Sequence, residues 1–375
     1  MILQLVRNGL KFRAMRMSGK PMKPQALSLE ITHRCIARCM MCNIWKIPAS
    51  VPDLPVEKWL EVLSSGLFTT LVELDITGGE PFLRKDLVNL TAGVCDLKKG
   101  GLGKLRSISV TTNGLLTERI AARVPEMLKM LQDSGTDLVV VVAMDAVGKL
   151  HDRIRGVDGA WEKAHATIQN LKNMQDVFAN LVVGLKTTVL PLNVDELPGI
   201  TRYADQHGLF TIISPCIVTE GRYLNPEKEE SLRFEPAHIE KLLHFFDRQG
   251  HGWQIHSRGL ARYYKTGKMK KPCSCGFNYL FIRSTGAVHL CPLVGNSVGN
   301  VQESSVERIY FSEKADHARR RIGKEPQCGS CTEPGLERYS LALEGWTYLA
   351  LRLRMGRPRF LRMHHHLGMD KYIEH

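Results

Sequence analysis

Between residues 26 and 215 the pattern of apolar and polar positions changes period repeatedly. Short stretches alternate residue by residue or run β-branched, and the stretches between them repeat every three to four residues. Residues 26–32 (ALSLEIT) alternate and read as a first strand. Further strands are expected at 71–77, 107–112, 137–145, 181–189 and 210–215, with helices at 56–65, 86–97, 118–132, 161–174 and 194–207. Strand–helix repeats of this kind build a parallel sheet with crossover helices. Six units are too few for a closed eight-fold barrel, so the expected fold is α/β, a partial (β/α)6 open TIM-like barrel. In such sheets function gathers at the C-terminal ends of the strands.

After Pro215 the repeat weakens. A helix is expected at 238–248, and residues 268–335 are rich in Cys, Gly and short turns, which suggests a small C-terminal cysteine-rich module. The expected organisation is a basic amphipathic arm at 1–24, the barrel at 25–235, the cysteine-rich module at 236–335 and a basic helical tail at 336–375.

Charge sharpens the picture of the two ends. The net charge is +13, and eleven of those charges lie in residues 1–23 and 351–363, which contain no acid. A nucleic-acid enzyme concentrates basic residues around its working cleft, so no nucleic-acid partner is expected. At helical spacing Leu3, Val6, Leu10, Ala14 and Met17 form an apolar stripe flanked by Arg7 and Lys11, with Phe12 off that face. Leu343, Trp346, Ala350 and Leu353 are similarly spaced before the arginine run. Basic amphipathic segments suit an anionic membrane surface; equally, both helices suit docking on the barrel through their apolar faces. No apolar run reaches the 18 residues of a spanning helix, and the N-terminus lacks the features of a secretory signal. A cytoplasmic protein, peripheral at the inner face of the membrane, is expected.

The candidate chemistry begins with cysteine. Cys35, Cys39 and Cys42 form a C-x3-C-x2-C run directly after the first strand. Thiolates are the usual protein ligands of iron–sulfur clusters, and three of them leave one iron of a four-iron cluster open. A structural zinc site takes four ligands, and no fourth is near. Gly78-Gly79-Glu80 ends the second strand, Thr111-Thr112-Asn113-Gly114 the third, and Asp145 the fourth. A second group holds Cys273, Cys275, Cys291, Cys328 and Cys331. Four of these would also suit tetrahedral zinc. Cys95 reads as a core residue, Cys216 falls on the active face after the sixth strand, and His364–His366 reads as a solvated run, with metal binding as the alternative.

The cysteine run resembles the signature of the radical S-adenosylmethionine superfamily over roughly residues 25–215. The resemblance implies a [4Fe–4S] cluster on Cys35, Cys39 and Cys42, whose open iron is chelated by S-adenosylmethionine. One electron from the cluster then cleaves the sulfonium to methionine and a 5′-deoxyadenosyl radical that abstracts hydrogen. It implies cofactor contacts at Gly78, Gly79, Glu80, Thr112, Asn113, Asp145 and Arg155, with Glu80 or a nearby carbonyl meeting the methionine ammonium. Ala143 and Ala146 depart from the family's usual serine and glycine, and Met41 replaces a frequent aromatic residue. The second group resembles the twitch module, the shorter relative of SPASM. That implies a second [4Fe–4S] cluster on Cys275, Cys291, Cys328 and Cys331, with Cys273 an alternative first ligand. A reductant such as flavodoxin or ferredoxin is the implied partner. No catalytic side chain is singled out. Two basic tails on a near-neutral body point to a membrane-associated lipid or lipid-linked substrate; a peptide maturase, or dehydrogenation or rearrangement of a small polar metabolite, are the alternatives.

Overall fold

The computed structural model describes residues 1–248 and 254–373. The parts of the expected 236–335 and 336–375 segments at 249–253 and 374–375 lie outside the described residues. Helix α1 (Ile2–Ser18) precedes strand β1 (Ala26–Thr32). Then follow α2 (Val56–Leu63), β2 (Glu73–Gly78), α3 (Leu87–Lys98), β3 (Ser107–Thr112), α4 (Thr117–Asp133) and β4 (Asp137–Ala143). After these come α5 (Lys149–Arg155), α6 (Ala160–Gln175), β5 (Leu181–Val189), α7 (Leu197–Gln206) and β6 (Phe210–Pro215). Every expected strand lies within two residues of its observed bounds. Short α5, carrying Arg155, had no periodic signal.

Strands β1 to β6 are parallel and lie side by side in chain order, forming an unclosed TIM-like barrel wall. Their alternation has a physical cause. Parallel strands covered on both faces normally read as unbroken apolar runs. Here Leu27, Leu29, Leu74, Ile76, Ile108 and Val110 join the core formed with the surrounding helices. Ser28, Asp75 and Ser109 line a lumen instead, together with Lys186 of β5. The polar half of the alternation is therefore the inner wall of the barrel.

The C-terminal region comprises α8 (Pro236–Arg248), α9 (Gln254–Thr266), β7 (Tyr279–Ile282), β8 (Ala287–His289), β9 (Gly299–Asn300), α10 (Val306–Tyr310) and α11 (Glu313–Arg321). Helices α12 (Glu337–Glu344), α13 (Trp346–Met355) and α14 (Arg357–His366) complete it. The cysteine-rich region continues the barrel's own sheet. Strand β7 pairs parallel to β1 on the side opposite β2, and β8 and β9 extend the sheet antiparallel. Strand β1 is consequently central, and all seven of its residues are buried.

The tail folds back under the barrel. Glu73, first residue of β2, forms an ion pair with Arg338 and accepts a 3.1 Å bond from the Tyr372 hydroxyl. Lys371 Nζ donates to Ser107 Oγ at the start of β3 (2.8 Å). The histidine run is not simply solvated: His364 is buried and lies 2.8 Å from the Tyr348 hydroxyl. Helix α1 packs on α12 and α13, but through Leu5, Gly9, Phe12 and Met15, which is not the stripe marked out by its periodicity.

Candidate active site

The loop after β1 carries Cys35, Cys39 and Cys42 to the C-terminal end of the barrel, and neighbouring main chain fastens it along its length. The Arg38 and Met40 N–H groups donate to the Arg155 and Ile154 carbonyls of α5 (2.8 and 2.9 Å), and the Asn43 N–H donates to the Tyr223 carbonyl (2.9 Å). From the segment after β6, Asn225 Nδ2 donates to the Met41 carbonyl and Lys228 Nζ to the Met40 carbonyl, each at 2.7 Å. Gly156, at φ +63°, ends α5 so close to the loop that a Cβ there would lie 2.7 Å from the Arg38 carbonyl oxygen.

The three cysteines open onto a cavity of about 110 Å³, also lined by Gly78, Gly79, Thr112, Asn113 and Arg155. The structure thus brings five of the seven expected cofactor contacts to one wall. Asn113 Nδ2 stands 3.7 Å from Cys35 Sγ, and Arg155 Nη1 stands 3.7 Å from Cys39 Sγ. Both are N–H donors aimed at sulfur, the contact that tunes a thiolate-bound cluster. Burial, with Cys39 nearby, pushes the Cys35 thiol up to about 12, and burial pushes Cys42 up to about 11. Three thiols on one short loop, with polar donors on two sulfurs and an open mouth, fit an iron–sulfur cluster with one exchangeable position.

Two expected contacts stand behind the wall instead. Glu80 is fully buried, and its carboxylate accepts bonds from the Phe82 N–H (3.1 Å), the Thr112 hydroxyl (2.8 Å) and the Asn113 N–H (2.7 Å). Three of its acceptor positions are taken by the protein and it does not line the cavity, so in this structure it braces the Gly79–Asn113 wall. Burial, only partly offset by these bonds, lifts its carboxyl to about 7. Asp145 is also buried; Oδ1 accepts from the Thr188 N–H (2.9 Å) and Oδ2 lies 2.7 Å from Arg155 Nη2. It anchors Arg155, which alone of the pair reaches the cavity.

The paired glycines also do more than expected. A Cβ on Gly78 would lie 2.3 Å from the Thr32 carbonyl oxygen, and one on Gly79 would lie 2.2 Å from that of Arg34. Their first task is to let the end of β2 press against the cysteine loop, where the Gly79 and Glu80 N–H groups donate to Thr32 and Arg34 (2.7 and 2.8 Å).

Periodicity did not mark Lys186, Arg222 or Tyr223, which line the same cavity. Lys186 and Arg222 also line the deeper lumen, with Asp75, Glu333 and Tyr279. Arg222 Nη2 donates to Thr77 Oγ1 (2.5 Å). Burial raises Glu333, but Lys186, Arg222, the Gly335 N–H and Lys271 together outweigh it and hold the carboxyl below its ordinary value. Lys186 had a usable signal, being the one charge in an otherwise uncharged β5. Arg222 had none, since it lies in irregular chain. Cys216 borders this region beside Met41, Lys186 and Glu333.

The second cysteine group also converges. Cys328 and Cys331 each feel Cys273 and Cys291, and Cys275 feels the same two thiols. Cys275 is wholly buried, and a side-chain bond with it draws Cys273 below the ordinary thiol range. Glu333, on the lumen wall, is two residues beyond Cys331 in the chain, and Lys186 and Arg222 are shared between the lumen and the cavity at the first cysteine group.

The family model of the radical SAM superfamily matches residues 29–197, and that of an iron–sulfur cluster-binding domain, SPASM, matches residues 273–332. The AdoMet-dependent heme synthase of Methanosarcina barkeri is 25% identical over 331 residues, 82% of this chain and 87% of that protein. A PqqA peptide cyclase of Methylocella silvestris is 30% identical over 145 residues, 38% of this chain and 35% of that protein. Among solved structures, Streptococcus suis SuiB superposes with a TM-score of 0.57 at 14% identity, covering 82% of this chain and 70% of that one, which shows a shared fold. The chain carries a radical SAM domain, which binds S-adenosylmethionine and a [4Fe–4S] cluster, and a SPASM domain, which binds an additional iron–sulfur cluster.

Proposed function

We propose that this enzyme takes a hydrogen atom from a polar, peptide-like substrate held in the barrel lumen. S-adenosylmethionine and its cluster, when bound, supply a 5′-deoxyadenosyl radical. Cys35, Cys39 and Cys42 would hold that cluster, Asn113 and Arg155 would donate to its thiolates, and the Gly78–Gly79 edge would border the methionine end of the cofactor. Cys291, Cys328 and Cys331, with Cys273 or Cys275, would hold the second cluster. Residues 25–235 and 236–335 are read as the radical and auxiliary-cluster units, and a flavodoxin or ferredoxin as the electron donor.

The observation that carries the substrate class is the charged wall of Asp75, Lys186, Arg222 and Glu333. Burying ionised groups against hydrocarbon is costly, so this wall speaks against a lipid chain as the reacting group and for a substrate rich in amides and charges. The peptide named in the PqqA cyclase relative points the same way. A second reading, a small metabolite bearing carboxylates, is favoured by the pairing of Lys186 with Arg222 and by the near-full-length match to a heme synthase. Membrane contact, by this view, is a property of the tails and not of the lumen.

The test is anaerobic reconstitution with dithionite and S-adenosylmethionine, with 5′-deoxyadenosine measured after adding peptide, acidic-metabolite or lipid fractions of host cells. Stimulation by the peptide fraction, lost in Lys186→Met, supports the proposal. Stimulation by the acidic-metabolite fraction alone selects the second reading, and by lipid alone overturns both.

A further inference from the structure

Helix α1 is fixed to the body by one face and turns the other outward. Leu5, Gly9, Phe12 and Met15 are buried. Gly9 lets the helix lie flush, since a Cβ there would come within 2.3 Å of Trp346 Nε1. On the opposite face Leu3, Leu10 and Met17 recur every seven residues, two turns apart, and are 86%, 57% and 88% exposed. This is the stripe read from the sequence, and the fold leaves it in solvent. Leu353 of α13 is 74% exposed, and its neighbour Arg352 reaches the Met1 sulfur (3.4 Å), which places α13 beside the start of the stripe. These residues and Ile2 make up five of the eleven exposed large hydrophobic side chains among the described residues.

Positive charge frames this apolar surface. Arg7, Lys11 and Arg13 of α1 are exposed, as are Arg354 of α13 and Arg357, Arg359 and Arg362 of α14, and the three helices contain no acid. No described helix is long and apolar enough to cross a membrane. A helix anchored by one face, with a narrow apolar stripe between arginines on the other, is suited to lie in the headgroup region of a bilayer.

We propose that α1, with α13 and α14, docks the enzyme on an anionic lipid surface. Leu3, Leu10, Met17 and Leu353 enter the acyl boundary, and the arginines meet headgroup phosphates. A second copy of this chain is a poor alternative occupant, because it would bring the same positive face against this one. The proposal does not depend on which substrate occupies the lumen.

The test is sedimentation of the full-length protein with phosphatidylcholine vesicles prepared with and without phosphatidylglycerol. The wild type should sediment with the anionic vesicles only, less so as salt rises. The variants Leu3→Ser/Leu10→Ser/Met17→Ser and Arg354→Gln/Arg357→Gln/Arg359→Gln should each weaken partitioning about tenfold or more. Both alter only exposed side chains, so circular dichroism and 5′-deoxyadenosine formation should match the wild type. Absence of wild-type binding, or binding by both variants equal to that of the wild type, overturns the proposal. So does a wild-type dimer in light scattering that the serine variant dissociates, which would assign the stripe to a second copy.

Discussion

Arg155 and Asp145 face each other at 2.7 Å, their side chains 8% and 0% exposed, and only the arginine reaches the cavity. Removing one member of a buried ion pair costs about 3–5 kcal/mol, because the other charge is left uncompensated. Asp145→Ala is therefore expected to destabilise the protein by about that amount and to release Arg155 from Cys39. Denaturant unfolding measures the first effect, and the midpoint potential of the cluster on the first triad measures the second. An unchanged potential would separate Arg155 from cluster tuning.

Glu80 yields a prediction that distinguishes a brace from a ligand contact. Glu80→Ala leaves three buried donors without their acceptor, at about 1–3 kcal/mol each. The loss should appear in urea unfolding with no cofactor present, where a pure ligand contact would be silent. The sign of the pH effect follows from its carboxyl being lifted from 4.5 to about 7. Between those values the unfolded chain gives up this proton first, so Glu80's contribution to stability falls as pH rises through the window. Glu80→Gln should remove that slope.

The second cysteine group contains five thiols for four positions. Cys273 and Cys291 both neighbour Cys328 and Cys331, whereas Cys275 is wholly buried and meets Cys273 and Cys291. In a Cys35→Ala/Cys39→Ala/Cys42→Ala background, Cys273→Ser is expected to lose the remaining iron, while Cys275→Ser keeps most of it. Iron and sulfide per chain, with the electron paramagnetic resonance of the reduced protein, decide between them.

Gly79→Ala places a Cβ 2.2 Å from the Arg34 carbonyl oxygen, a rigid neighbour. The end of β2 must then withdraw from the cysteine loop. We expect a fall in thermal stability and a lower iron content after reconstitution, whereas Gly66→Ala, which meets nothing within 4 Å, should change neither.

Much of this was readable in the chain because barrel strands carry a lumen on one side and helices on the other. Ser28, Asp75 and Ser109 broke the apolar runs at the period of a strand, so the wall could be placed closely. Chemistry set by local spacing was equally readable, since three thiols on one loop need no long-range information. The roles of Glu80 and Asp145 were not, because whether a carboxylate faces a ligand or the protein depends on loops brought from elsewhere in the chain. Arg222 was missed for the same reason. On α1 the periodic stripe was found but its direction was not: Phe12, off the stripe, is the residue that packs on Phe277 with ring centroids 5.8 Å apart. Periodicity reports that a face exists and leaves open what it faces.

The pairing of β1 with β7 has a consequence for how the protein is made. Ala26 finds one neighbour in Glu73 and the other in Tyr279, more than 250 residues further along the chain. At ribosomal speeds of about 5–20 residues per second, that second partner arrives on the order of tens of seconds after the first strand emerges. Through that interval β1 is an unguarded sheet edge, open to pairing with other chains. Slowed synthesis near residue 279, or truncation before it, should therefore yield aggregate instead of a free-standing radical domain.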